Sequence, residues 1–342
     1  QKLFFPYDDR PEHHKPLDGL RGWAVLLVML GHATNQGLSP WLEGTLLSRG
    51  KLGVYLFFVL SAYLLDRQII QVWQEGKGNW SYWRYYIARR FLRIFPPFVL
   101  ALLVFRFMNE AGYKVVIREW SHVWEHLLFM RGDHIFWSIP TEFVYYLISP
   151  LFLLYCNLFF KLDVRRTALF FVAVVAASVA INSIYELPRF NTLRYIGIFS
   201  MGTLLAVFQT LGSNTFKVVS QRPWMKYMPW AALVALIVWG SVADDFTRAA
   251  FYVPVALLWS LLLMSSFGYS LWSRILQWRP FRFVGTISYS LYLFHIPVLV
   301  WVKEMSIHSN LQLAVFFVLS ILVAAVSHLL IERPALGLAR KR

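Results

Sequence analysis

Leu17-Asp18-Gly19-Leu20-Arg21-Gly22-Trp23-Ala24, running on through apolar residues to Gly31-His32-Ala33, is the stretch on which the reading of this chain turns. It opens the first long apolar run. Arg21 stands at the start of that run and His32 deep inside it. On a helix, eleven residues at about 100° each make three turns plus roughly 20°, so both side chains share one face. They stand about 16 Å apart along the axis. Ionisable groups inside a bilayer are costly and mark function by default. The plainer reading is a snorkelling arginine and a hydrogen-bonded bundle histidine.

Working outward, the 342 residues are 58% hydrophobic with only 15% charged, against about 25% charged in a soluble domain. Mean hydropathy is +0.52. Apolar runs of about 20 residues recur along the chain, which predicts an all-α polytopic membrane protein. The strands of an outer-membrane barrel would alternate apolar and polar residues, and these runs do not. The fold expected is one transmembrane domain over 1–342. A polar cytoplasmic segment, 1–16, precedes it, and a basic cytoplasmic tail, 332–342, ends it. Residues 1–16 lack the early apolar core of a cleaved signal peptide. The single cysteine, Cys156, lies in an apolar run and reads as a small buried residue.

Ten spans are expected: 20–36, 52–70, one starting near 94, 136–160, 167–185, 193–211, 229–243, 249–268, 284–302 and 311–331. Pro96-Pro97 fit a helix beginning near Ile94, and Asp244-Asp245 make a tight acidic turn between the seventh and eighth spans. The net charge of +15 comes from Lys and Arg in the short connecting loops. Of these residues, 22 fall on the side of the N-terminus and 8 on the other. The positive-inside rule then places both termini in the cytoplasm. It also explains the basic balance without a nucleic-acid partner.

Orientation gives depth. His32 lies about 18 Å up the first span and Glu142 about 9 Å below the outer edge. The two are therefore expected to meet, with Glu142 setting the tautomer and basicity of His32. The alternative is a protonated structural carboxyl, or a partner other than His32. On the ninth span Ser288, Tyr292 and His295 follow i, i+4, i+7 on one face. They line a chamber or form a helix-packing ladder. Arg89, Arg90 and Arg93 are helical neighbours suited to phosphate oxygens, or to anionic lipid. His122 and His126 are spaced i, i+4 for a metal, but no second ligand pair accompanies them, and no metal is expected. No G-x-S-x-G nucleophile elbow occurs.

These motifs together resemble the acyltransferase 3 family of integral membrane enzymes that acylate sugars. Arg21, ten residues and His32 match its R-x10-H opening within an L-D-G-L-R-G context. Arg89-Arg90-Phe91-Leu92-Arg93-Ile94-Phe95-Pro96 matches R-R-x-x-R-I-x-P. Trp137, Ser138 and Glu142 match W-S-L-x-x-E-x-x-F-Y, which the chain leaves at Ile139 and at Val144-Tyr145. Ser288, Tyr292 and His295 match S-x-x-x-Y-L-x-H-x-P. Ser61-Ala62-Tyr63 stands where the family usually has S-G-F, a change expected to alter packing or pocket shape rather than chemistry. The resemblance covers Leu17 to Pro334. No hydrolase-like domain of the kind many members carry is present, so transfer is expected to be completed alone or with a separate protein.

The resemblance implies an O-acyltransferase, most often an O-acetyltransferase, in the bacterial cytoplasmic (inner) membrane. Its co-substrate would be cytoplasmic acyl-CoA (acetyl-CoA), with no permanently bound cofactor. Arg21, Arg89, Arg90 and Arg93 would hold the nucleotide phosphates. His32 would act as general base on a hydroxyl of an extracytoplasmic carbohydrate or glycolipid, such as polysaccharide or lipopolysaccharide, with Glu142 orienting it. A covalent acyl-histidine is the variant. Trp137, Ser138, Ser288, Tyr292 and His295 would line the pocket. The partners are acyl-CoA, the acceptor and membrane lipid. The rival readings are a transporter or acyl-group translocator with a His/Glu relay, and a non-catalytic scaffold.

Overall fold

A computed structural model describes residues 4–5, 13–242 and 249–340. The Asp244-Asp245 turn and most of the polar N-terminal residues, including Asp8, Asp9, Arg10 and Glu12, lie outside the described residues. Every regular element among the described residues is helical. The helices are α1 (Lys15–Asn35), α2 (Lys51–Gln74), α3 (Trp80–Glu110), α4 (Trp120–Leu127), α5 (Ser138–Phe160), α6 (Val164–Ile184), α7 (Thr192–Thr210) and α8 (Ser213–Ser220). They continue with α9 (Met228–Val242), α10 (Ala249–Ser265), α11 (Leu271–Leu276), α12 (Arg279–Thr286), α13 (Ser288–Lys303), α14 (Ser309–Ser327) and α15 (Arg333–Arg340).

Six helices are long and apolar enough to cross a membrane, or seven if α12 and α13 count as one span. The chain is thus an all-α polytopic membrane protein. The helix α9 and the apolar part of α10 are shorter than a full span.

The central helix is α2, which packs against α1, α5, α7 and α10. On the other side of α1 lies α12. The two approach closely because of glycines in the opening stretch. A Cβ on Gly19 would sit 2.0 Å from the Leu276 carbonyl oxygen, and one on Gly22 would sit 2.3 Å from that of Phe281. Backbones at that distance leave no room for a side chain. The glycines bury one face of α1 and leave Arg21 to face a cavity.

Two expectations about helix limits are corrected. Asn79 caps α3 by accepting the Tyr82 N–H at 2.9 Å. The helix therefore begins at Trp80 and runs on through Pro96 and Pro97, and Arg89, Arg90 and Arg93 stand on a formed helix. The expected single span over 284–302 is a pair of helices bent by 78° between Thr286 and Ser288. The helix α12 is held across α1, where a Cβ on Gly285 would meet the Asp18 carbonyl oxygen at 1.7 Å, so α13 begins afresh at Ser288. Its first turn opens into the interior, where Ser288, Tyr289 and Tyr292 line a cavity.

Candidate active site

Three cavities follow one another through the bundle. The first, at the end where α1 begins, has a volume of about 400 Å³ and is rich in arginine: Arg21, Arg67, Arg89, Arg93 and Arg333. The second, central, is narrow, about 90 Å³ among α1, α2, α3, α5 and α13. The third, at the far end of α1, has a volume of about 380 Å³ and holds His32, His134, Trp137, Arg189 and Tyr195. Arg21 and Arg93 line both the first and the second. Val54 and Tyr292 line both the second and the third. The shared residues make the three immediate neighbours in one series.

In the basic cavity the carboxylates are already engaged. Asp18 pairs with His13 at 2.9 Å and with Arg282 at 3.5 Å. Glu332 accepts from Ser290 at 3.1 Å and pairs with His328 at 3.1 Å. The last pair sits where a π-helical turn, His328–Glu332, interrupts the run from α14 to α15; such turns are frequent at functional sites. Arg21 and Arg93 make no hydrogen bond or ion pair among the described residues. Two guanidinium groups facing a cavity whose carboxylates are engaged elsewhere suit an incoming polyanion. Burial, then Arg67 and His13, lowers the His14 pKa at this rim below the ordinary histidine value.

The three α3 arginines divide between cavities. Arg89 lines the basic one and its Nη1 donates to the Tyr85 hydroxyl at 3.1 Å. Arg90 lines the central one, with Cζ 5.6 Å from the Tyr86 ring and 5.2 Å from the Tyr146 ring. Stacking on two aromatic faces fixes its plane. Arg93 belongs to both.

Glu142 and Ser138 line the central cavity on the first turns of α5. Ser61 and the Tyr146 hydroxyl both donate to the Glu142 carboxylate. No hydrogen bond joins Glu142 to His32 among the described residues, and the two line different cavities. The expected His32–Glu142 pair is therefore not formed. The reason is the short helical turn His134–Trp137 before α5. It brings His134 to the level of His32 and leaves Glu142 deeper, facing α2.

The neighbours of His32 are two other histidines. Ring centroids are 5.2 Å apart for His32 and His134, and 5.1 Å for His32 and His295. His134 adopts φ +48°, a left-handed conformation uncommon outside glycine that turns its ring toward the cavity. The expectation that His295 lines the pocket is also corrected. It is fully buried and lines none of the three cavities. Three residues beyond Tyr292, the helix has turned it behind His32. Tyr292 itself donates to the Ile135 carbonyl at 2.6 Å and shares a 2.8 Å hydrogen bond with Ser138. It forms the partition between the central and far cavities.

Sequence reading passed over Ser61, Tyr146, His134 and Asp66. Asp66, wholly buried on α2, accepts from Tyr145 at 2.6 Å, from Thr203 at 2.5 Å and from Ser149. It ties α2 to α5 and α7 one turn below the Ser61–Glu142 contact. A lone Asp inside an apolar run was the available signal. The metal spacing of His122 and His126 has another use. The His126 Nδ1–H donates to the His122 carbonyl at 2.7 Å, and Nε2 accepts the Asp133 N–H at 3.1 Å.

The helical membrane bundle thus has an arginine-rich mouth, a carboxylate-bearing centre and a histidine cluster at the far end, an arrangement able to hold a charged or activated group. Comparison with known proteins narrows the class. The model of the acyltransferase domain matches residues 15–332. The chain belongs to the acyltransferase 3 family. It is 24% identical over 359 residues to the O-acetyltransferase OatA of Staphylococcus aureus, covering 95% of this chain and 57% of that protein. It is 24% identical over 363 residues to the putative peptidoglycan O-acetyltransferase YrhL of Bacillus subtilis, covering 95% and 56%. The chain thus spans little more than half the length of these relatives. No solved structure matches it.

Proposed function

We propose that this chain transfers an acyl group, most simply acetyl, from acyl-CoA to a carbohydrate hydroxyl. The observation that carries the reading is the series of three cavities joined by Arg21, Arg93, Val54 and Tyr292. The nucleotide phosphates of cytoplasmic acyl-CoA would occupy the basic cavity, on Arg21, Arg89 and Arg93. The pantetheine arm would enter the central cavity past Arg90, bringing the thioester toward Ser138, Glu142 and Tyr292. The acceptor hydroxyl would enter the far cavity, where Trp137 and Tyr195 offer aromatic faces and His32 takes its proton. A dry central cavity would keep the thioester from hydrolysis. Support comes from the family and from the O-acetyltransferase relatives, one of them a putative peptidoglycan O-acetyltransferase, which suits a glycan acceptor.

The test is binding and turnover of radiolabelled acetyl-CoA by the full chain in nanodiscs. Wild type would be compared with His32→Ala and Arg90→Ala. The reading expects weaker binding in Arg90→Ala, and intact binding without turnover in His32→Ala. A folded protein that binds no acyl-CoA refutes it. The same series of cavities suits a second reading, in which the acyl group is handed through to an acceptor held by another protein. That reading expects acyl-CoA binding but no acylated product when a soluble oligosaccharide is the only acceptor.

A further inference from the structure

His295 is wholly buried on α13, yet only one of its ring nitrogens is bonded. Nδ1 lies 2.8 Å from the Tyr292 carbonyl oxygen and 3.2 Å from that of Leu291. A carbonyl can only accept, so Nδ1 carries the hydrogen and Nε2 carries the lone pair. Nε2 has no hydrogen-bond partner among the described residues. A buried acceptor left unbonded is costly and calls for an explanation. The ring nearest to it on another helix is His32, at 5.1 Å between centroids. At that spacing a small ring rotation brings facing nitrogens to hydrogen-bond distance. Catalytic hydrogen bonds commonly tighten in this way only when substrate is bound.

We propose that His295 is the positioning residue of His32: its Nε2 accepts the N–H of the His32 ring, holding the tautomer whose other nitrogen presents a lone pair to the far cavity. This inference rests on the reading of His32 as the general base, and it assigns to His295 the orienting role that sequence gave to Glu142. The geometry has the logic of a base oriented by a third group, with a neutral imidazole in place of a carboxylate. In the transfer, the acceptor hydroxyl gives its proton to the free nitrogen of His32 while its oxygen bonds to the thioester carbonyl carbon. The imidazolium charge is shared along the N–H···N bond to His295. When the tetrahedral adduct collapses, the C–S bond breaks, and His32 returns the proton to the departing sulfur. His32 ends neutral and the donor leaves as a thiol.

The experiment uses the full chain in nanodiscs, with acetyl-CoA as probe and water or a soluble oligosaccharide as acceptor. Radiolabelled release is followed for His295→Leu and His295→Gln, each alone and combined with His32→Ala. His295→Leu is expected to lower kcat roughly 10- to 100-fold and leave acetyl-CoA affinity within about twofold of wild type. His295→Gln, whose amide oxygen accepts a hydrogen bond, is expected to recover most of the loss. In the His32→Ala background neither change should lower the residual rate further. A wild-type kcat in His295→Leu, or a further loss in the His32→Ala background, overturns the proposal. If the leucine variant fails to bind acetyl-CoA, the glutamine variant decides, because a binding-competent protein without recovered turnover also overturns it. Wild-type turnover in His32→Ala removes the base reading itself. Loss in His32→Ala beside full activity in His295→Leu removes only the role of His295.

Discussion

Replacing Arg93 with glutamine removes one of the two guanidinium groups that line both the basic and the central cavity. Arg93 makes no hydrogen bond or ion pair among the described residues, so the change breaks no existing pair and should leave the fold intact. What it removes is a contact for an incoming phosphate. A hydrogen bond to a charged group contributes about 1.5–3 kcal/mol, and about 1.4 kcal/mol is tenfold in affinity. The Kd for acetyl-CoA should therefore rise roughly 10- to 100-fold. Arg93 is half-buried, so solvent screening favours the lower part of that range. The assay is equilibrium binding in nanodiscs at two salt concentrations, run beside a truncated acetyl thioester that has no phosphate. Arg93→Gln should weaken acetyl-CoA binding, flatten its salt dependence, and leave turnover of the truncated thioester near wild type. Equal losses for both donors would mean that Arg93 shapes the central cavity rather than holding phosphate. Unchanged acetyl-CoA affinity would refute the placement of the donor.

Other expectations follow from packing and titration. Gly22→Ala puts a methyl group against the backbone of α12 and should cost about 1–3 kcal/mol, read as a lowered thermal midpoint; an unchanged midpoint would show that α12 yields freely. Asp66→Ala leaves the hydroxyls of Tyr145, Ser149 and Thr203 without their shared acceptor, at about 1–3 kcal/mol for each donor not rescued. Thr203 has an alternative in the Phe199 carbonyl at 3.2 Å, so Asp66→Asn, which keeps an acceptor, should recover most of the midpoint lost in Asp66→Ala. Burial lowers the His126 pKa below the ordinary 6.5. The folded chain then binds fewer protons than the unfolded one, so stability falls as pH drops through 6.5 toward the lower folded value. His126→Gln should show a shallower fall in thermal midpoint between pH 7.5 and 5, and parallel curves for the two proteins would contradict this.

The features readable from sequence are those that one helix determines by itself. Arg21 and His32 face one series of cavities because eleven residues make nearly whole turns. Trp137, Ser138, Ser288 and Tyr292 line the cavities because their spacing places them at the starts of α5 and α13. What stayed hidden depends on how helices meet. Depth along a span gave His32 and Glu142 a common level, but not the rotation of α5 about its axis, which turns Glu142 toward Ser61. His134 carried no periodic signal, since its place comes from a short turn and a left-handed φ. The bend at Ile287 was not evident from the run 284–302 itself, because it arises from α12 lying against the glycines of α1.

Tyr292 also decides what can pass between neighbouring cavities. Tyr292, with Val54 on the facing helix, stands between the central and far cavities. The hydroxyl that ties Tyr292 to Ser138 and Ile135 therefore holds a stopper between the two cavities. Loosening this side chain would widen the opening for water as well as for any larger ligand.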